Sequence, residues 1–413
     1  MRGEMPVPAP RARDAVEGWT PAAVATSASV AGRRLVFTLP VYPIAAAGPA
    51  TGLVLIPRCG PCGLEIDCVR LPQSISTDID VLNPKGRVVP LQLIATGGTI
   101  SSTGVLGSLE ARLGARDLLS TLEGTPAGAE PDVRPLDLTT VVSSALTGAD
   151  LLQLHRAVRT ALDDGADGVV VTHGTDAMEE TALLLDLLHD DDRPVVLTGA
   201  QRAADALAPD GPANLAAALQ LAAHPDARGC GVLVAFDGEA YAARGVRKVH
   251  TLRAGAFAAP GYGPTHRVAA GRVELLRRPV RTRPWVLPAG TGDLPRVDVV
   301  STHLGADGTL LDAARAAGAR GLVVQAMGAG NAPRGVIEAV EASCAAGVPV
   351  VITSRVPEGP VAAVYGTGSA LLRGGAVLAG DLSPWQARTV LAVALAADPS
   401  DPARACARAF ARP

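Results

Sequence analysis

The sequence predicts an α/β protein: a larger N-terminal domain with a doubly wound, mostly parallel sheet, a smaller C-terminal α/β domain, and a poorly structured N-terminal extension ahead of both. Three observations carry this. From Val88 onward, short apolar runs alternate with amphipathic segments, the order expected of a mostly parallel sheet with helices on both faces. Several apolar runs end in hydroxyl-bearing residues, as in Leu91-Gln92-Leu93-Ile94-Ala95-Thr96-Gly97-Gly98-Thr99-Ile100. The Pro/Gly-rich stretch Arg281 to Pro295 then interrupts the alternation before it resumes. The 413 residues therefore divide into an extension (1–88), a first α/β domain (89–280), a linker (281–295) and a second α/β domain (296–413).

The extension reads as accessory or disordered. Met1 to Ala50 is rich in Ala and Pro and lacks sustained period-2 or period-3.6 patterning. Leu53 to Ile56 is its one expected strand. Arg33-Arg34 followed by the apolar Leu35 to Ala47 has the order of a secretory signal, but it is internal and broken by Pro40 and Pro43. A cytoplasmic location is expected.

The elements of the first domain follow from their patterns. Leu91 to Ala95, an apolar run closed by glycines, reads as a buried parallel strand whose paired glycines let the backbone turn close to a ligand. Asp117 to Leu122 is expected to be a short helix and Leu138 to Val142 a strand ending at Ser143-Ser144. Ala149 to Asp163 carries Leu151, Leu154, Val158 and Leu162 at the spacing of an amphipathic helix. Gly168 to Thr172 is a strand leading into His173-Gly174-Thr175-Asp176. Ala177 to His189 and Asn214 to Ala223 read as helices, Val195 to Thr198 and Gly231 to Phe236 as strands. Ala242 to Val280 is less regular. In the second domain, strands are expected at Val297–Thr302, Gly321–Ala326 and Val348–Thr353, and helices at Leu310–Ala317, Val336–Ala346 and Pro384–Leu395.

Composition narrows the function. With 48% hydrophobic and 19% charged residues the chain is globular, and a net charge of -3 leaves no electrostatic footprint for nucleic acid or an anionic membrane. No apolar run reaches the length of a membrane span. The six cysteines form no disulfide framework, as suits a reducing compartment. Cys59-Gly-Pro-Cys62 has C-x-x-C spacing, but only Cys68 is near enough to extend a zinc half-site, and chance spacing is the simpler reading. A G-x-G-x-x-G fingerprint, P-loop, H-E-x-x-H and G-x-S-x-G are all missing from the sequence, and the seven histidines are dispersed. No cofactor or metal is expected.

What remains are strand ends bearing hydroxyls: Thr99, Ser143-Ser144 and Thr175-Asp176. In a doubly wound sheet, strand ends of one polarity converge on one crevice. Each has a structural alternative. Thr147 with Asp150 can cap the helix near Ala149, and Asp176 with Glu179 has the spacing of a capping box. A threonine hydroxyl is a poor nucleophile until a base takes its proton. The chain's 37 basic residues include only two lysines, Lys85 and Lys248. Lysine can release its proton where arginine cannot, which makes Lys248 a candidate base, with a solvated surface lysine as the alternative.

Ala95-Thr96-Gly97-Gly98-Thr99-Ile100 and Val170-Val171-Thr172-His173-Gly174-Thr175-Asp176-Ala177-Met178-Glu179-Glu180-Thr181 resemble the two signature motifs of the bacterial-type L-asparaginases. Thr198-Gly199-Ala200-Gln201-Arg202, Asp210-Gly211-Pro212-Ala213-Asn214-Leu215, Gly328-Ala329-Gly330-Asn331 and Ser354-Arg355-Val356 resemble further landmarks, so the similarity spans roughly residues 89–410. The resemblance implies hydrolysis of L-asparagine, or of both L-asparagine and L-glutamine, to the acid and ammonia through an acyl-enzyme. It makes Thr99 the nucleophile, and Thr175, Asp176 and Lys248 a second hydroxyl, a substrate-binding carboxylate and the lysine that helps activate a hydroxyl. Gly98, Ser143 and Ser144 join Thr175 and Asp176 in substrate binding, Ser143 at the α-carboxylate. A homotetramer or dimer is implied by resemblance alone. One departure stands out. Many members carry a tyrosine in the mobile loop after the first threonine, paired with a glutamate of a neighbouring subunit; Ser101 to Asp117 contains no tyrosine, Ser108 falls near its place, and Glu358 is no secure match for the glutamate. A catalytically weak member that only binds amino acids is the non-enzymatic alternative.

Overall fold

The computed structural model describes residues 22–30, 33–41, 53–60, 63–70, 90–104, 107–124 and 132–411. The chain divides into two compact units, Met1–Asp80 and Val81–Pro413. In the first, β1 (Ala22–Val30) pairs antiparallel with β2 (Arg33–Val41), and β3 (Leu53–Gly60) with β4 (Gly63–Arg70). The expected strand at Leu53–Ile56 lies within β3. Strands β1 and β2 fall within Met1 to Ala50, where the sequence carries no sustained alternation: a segment such as Ala25-Thr26-Ser27-Ala28 offers too little hydrophobic contrast to mark a strand. The rest of the 1–88 reading lies outside the described residues. β3 ends at Gly60, opposite Gly63 where β4 begins, so a strand lies next after the C-x-x-C spacing where a redox motif requires a helix; Pro61 and Cys62 lie outside the described residues.

The second unit opens on β5 (Leu91–Ala95), then a short hairpin of β6 (Ser102–Thr103) and β7 (Glu110–Ala111), and helix α1 (Ala115–Ser120). The chain continues through β8 (Val133–Asp137), α2 (Gly148–Asp163), β9 (Gly168–Thr172), α3 (Met178–Leu188), β10 (Val195–Thr198), α4 (Gly211–Ala223) and β11 (Val232–Phe236). Three further strands, β12 (Glu239–Ala242), β15 (His266–Ala269) and β16 (Arg272–Leu275), extend the sheet, while β13 (Arg247–Lys248) and β14 (Phe257–Ala258) form a separate pair. The eight-stranded order is β16-β15-β12-β11-β10-β9-β5-β8, parallel from β11 to β8 and antiparallel beyond β11.

The sheet is buried on both faces. Leu91, Leu93 and Ala95 pack with α1 and α4, whereas Ile94, Val169 and Val171 pack with α2 and α3. Fully burying a leucine, isoleucine or valine among them contributes roughly 1.5–3 kcal/mol. This is why β5, β9, β10 and β11 are legible as apolar runs. The strand expected at Leu138–Val142 is instead β8, five residues earlier in its start, and Leu138 to Val142 is the loop that follows it. As the edge strand, paired only with β5, β8 has three exposed residues of its five and tolerates Pro135, so it does not read as a buried run.

The smaller domain stacks four parallel strands in sequence order, β17 (Val297–Ser301), β18 (Gly321–Ala326), β19 (Val350–Ser354) and β20 (Val377–Leu378). Helices α5 (Thr309–Ala316), α6 (Arg334–Ala345) and α7 (Gly366–Arg373) connect them, and α8 (Pro384–Ala397) and α9 (Pro402–Phe410) follow. Helix α8 packs against β17, β18 and β19 and against α3 of the larger domain. It is buried nearly all round, from Pro384 to Leu395. No helix among the described residues is long and apolar enough to cross a membrane.

Candidate active site

The sheet order fixes where a site can form. From β5 the chain moves outward to β8 on one side, then returns to β9 on the other, so strand order reverses between β5 and β9. Ligands of open α/β sheets bind outside the carboxyl ends of the strands at such a switch point. Ala95 is in register with Thr172, and beyond that pair the two chains run on to Thr99 and Thr175. Thr96 ties the strands together: its N–H and its hydroxyl both donate to the Thr172 carbonyl, at 3.0 and 2.9 Å.

Glycines bring the two loops into contact. Gly98 has φ +84, and a Cβ there would lie 2.5 Å from Gly174 Cα, so only glycine permits this approach. On Gly174 a Cβ would meet Ser143 Oγ at 2.6 Å, which brings the turn that follows the β8 loop against the end of β9. The carbonyl of Gly98 accepts from Ser101 N–H at 3.0 Å and from the Ser102 hydroxyl at 2.9 Å, closing the turn over Thr99.

The polar groups differ in how they are held. Thr175 is buried, and its hydroxyl accepts from Lys248 Nζ at 2.8 Å. The same Nζ donates to Asp176 Oδ1 at 2.7 Å, forming an ion pair whose carboxylate is open to solvent and whose ammonium is largely covered. Buried Ser143 accepts from Ala177 N–H at 3.4 Å, while Ser144 is exposed. Thr99 is half-buried, and among the described residues its hydroxyl has no hydrogen-bond partner. The Thr99 and Thr175 N–H groups are likewise unused there. No group of His, Cys, Asp and Glu among the described residues is arranged to hold a metal ion.

Supporting groups surround this set. His173 is fully buried, its Nδ1–H donating to Gly174 O at 2.7 Å and its Nε2 accepting from Thr181 at 3.1 Å. Burial pushes its imidazole down to about 4, so the ring is neutral near pH 7. Gln386, on α8 and fully buried, accepts from Gly245 N–H at 3.0 Å and donates to Ala243 O at 2.8 Å and Val246 O at 3.1 Å. The small domain thereby grips the segment that leads into Lys248. Thr147 and Asp150 do form a reciprocal cap on α2. Asp176 and Glu179 do not cap α3; Asp176 holds Lys248 Nζ and Glu179 accepts the Lys248 backbone N–H at 2.7 Å. Gln386 escapes the sequence reading, and Glu179 enters it only as a capping candidate.

Fold and crevice together define a two-domain α/β protein with hydroxyl groups gathered at its switch point, one of them held by a lysine–aspartate pair. Residues 90–281 match the family model "Asparaginase, N-terminal" and residues 296–407 the "Glutaminase/Asparaginase C-terminal domain". The chain belongs to the asparaginase family. It is 36% identical to an L-asparaginase of Bacillus licheniformis over 74% of this chain and 94% of that protein. It is 30% identical to a glutaminase-asparaginase of Pseudomonas fluorescens biotype A, over 75% and 87% of the two chains. Among solved structures, a probable cytoplasmic L-asparaginase from Campylobacter jejuni superposes with a TM-score of 0.71 at 31% identity, covering 79% of this chain and 100% of that one.

Proposed function

We propose that this chain hydrolyses L-asparagine to L-aspartate and ammonia, with Thr99 as nucleophile. The observation that carries the reading is the Lys248 ammonium group bonded to both Thr175 and Asp176 beside the Gly98–Gly174 contact. Thr99 Oγ attacks the side-chain amide carbon, and the hydroxyl proton passes through Thr175 to Lys248 as the lysine hands one of its own protons to the Asp176 carboxylate. The tetrahedral intermediate collapses, C–N cleavage releases ammonia carrying a proton from the enzyme, and the aspartyl ester on Thr99 remains. Water then splits the ester and restores the hydroxyl. The unused Thr99 and Thr175 N–H groups suit the developing oxyanion, a stabilisation worth a large share of acyl-transfer catalysis. Asp176 and Ser143 bind the substrate's ammonium and α-carboxylate, with Gly98 and Ser144 at the rim. No cofactor takes part.

The site assignment is tested by ammonia release from L-asparagine and L-glutamine by wild type, Thr99→Ala and Thr175→Ala. Wild type should exceed either variant by about 10³-fold or more; equal rates would end the enzyme reading. Similarity to a glutaminase-asparaginase supports a dual-specificity alternative, which predicts comparable rates on both amides. We further propose a cytoplasmic homo-oligomer, a tetramer or dimer. The free thiols of Cys230, Cys344 and Cys406 suit a reducing compartment, and the exposed Leu207, Val286 and Leu304 suit subunit contacts. Fractionation and light scattering decide these two points.

A further inference from the structure

Lys248 is held at both ends by one stretch of chain. Its Nζ donates to Thr175 Oγ1 and Asp176 Oδ1, and its backbone N–H donates to Glu179 Oε2 at 2.7 Å. All three acceptors lie across the start of α3. The backbone bond has a topological cause. Among the described residues β13 pairs on one side only, with β14, and Lys248 lies opposite Phe257. The next amide, that of Val249, donates to Ala256 O at 2.8 Å on the β14 side. Successive amides of a strand point to opposite sides, so the Lys248 N–H faces away from β14, where β13 has no partner strand. A covered amide requires an acceptor.

A neutral glutamine would satisfy that amide without a charge. Glu179 is a carboxylic acid, 7% exposed, and makes no ion pair among the described residues. Burial pushes its carboxyl up to about 7, with Glu180 adding to the rise and the Lys248 amide and Arg247 opposing it. Packing alone disfavours an acid in such a place.

We propose that Glu179 is a positioning residue: by fixing the main chain at Lys248 it sets the reach of the lysine side chain, so that Nζ ends at Thr175 Oγ1. A four-carbon stem free at its base can place its ammonium in many rotamers; pinned at both ends it keeps few. The proposal rests on the reading of Lys248 as part of the group that activates a hydroxyl.

The test compares wild type with Glu179→Leu, which keeps the volume filled, Glu179→Ala, Glu179→Gln and Lys248→Met. Each is assayed for steady-state asparagine hydrolysis and for thermal unfolding. Loss of the acceptor should lower kcat about 10- to 100-fold while KM changes less than about threefold, because ångström-scale misplacement costs rate more than binding. Glu179→Gln keeps an oxygen acceptor and should recover kcat to within about fivefold of wild type. A purely structural role would lower the unfolding midpoint of Glu179→Leu and Glu179→Ala but leave kcat per folded site unchanged. That outcome, beside an inactive Lys248→Met, overturns the positioning role and leaves the lysine reading intact. Equal loss in Glu179→Gln and Glu179→Leu overturns the acceptor role. A Lys248→Met enzyme as fast as wild type overturns the lysine reading and this proposal with it.

Discussion

Replacing Glu179 with glutamine should stabilise the protein at alkaline pH and leave its stability unchanged in acid. The carboxyl is raised from 4.5 to about 7, chiefly by burial. A folded state that holds a proton which the unfolded chain has released loses stability as pH rises. The loss begins near 4.5, the unfolded value, and is complete just above the folded value of about 7. Since a tenfold change in an ionisation equilibrium corresponds to about 1.4 kcal/mol, the ionised side chain costs the native state on the order of 3 kcal/mol at pH 8. Little of this is relieved by solvent, since Glu179 is buried. Glutamine retains the oxygen that accepts the Lys248 N–H and carries no charge, so it removes the cost and keeps the bond. Urea unfolding followed by circular dichroism at pH 4.5 and pH 8 measures the difference. A gain at pH 8 below about 1 kcal/mol, or an equal gain at both pH values, is incompatible with a buried carboxylate whose charge costs the native state.

Three further outcomes are expected. Gly174→Ala places a methyl 2.6 Å from Ser143 Oγ and 2.8 Å from its Cβ, so Ser143 must move, and KM for asparagine should rise about tenfold or more in steady-state assays. His173, held neutral by burial, contributes stability that is complete above pH 6.5 and is lost as pH falls through about 4; His173→Gln should remove that acid-sensitive component from an unfolding-versus-pH series. A chain beginning at Arg87 should keep its cooperative unfolding and its turnover, because the family match begins at residue 90; insolubility or lost turnover would make residues 1–86 part of the folded enzyme.

Much of the scaffold is legible because burial writes itself as hydrophobic runs. Strands β9 and β10 match the expected bounds residue for residue, and α2 starts within one residue of its expected place. The position of β8 is not legible, because an edge strand shows no such run. The short strands between Glu239 and Leu275 escape notice because each runs at most four residues, too brief for an alternation such as that of β15 to stand out. Of the proposed site residues, Thr99, Thr175 and Asp176 stand out in the sequence just beyond apolar strands and Lys248 as a scarce lysine; Ser143 stands out as the end of an expected strand, whereas the chain there is a turn after the β8 loop. The roles of Glu179 and Gln386 do not stand out, since each matters through a partner far away in the chain: Lys248 and the 243–246 segment respectively. The pattern of a single helix does not reveal which distant amide its side chain will meet.

The grip of Gln386 on the chain leading into Lys248 also sets an order of events on heating. Helix α8 belongs to the smaller, four-stranded sheet, whereas Lys248 serves a crevice built on the eight-stranded one. Regions open locally at free energies well below that of global unfolding. If α8 loosens, its three hydrogen bonds to the main chain at Ala243, Gly245 and Val246 go with it, and the segment leading into Lys248 loses that support. Turnover is therefore expected to fall no later than secondary structure on heating, since the domain that contributes none of the proposed hydroxyls helps to hold the lysine in place.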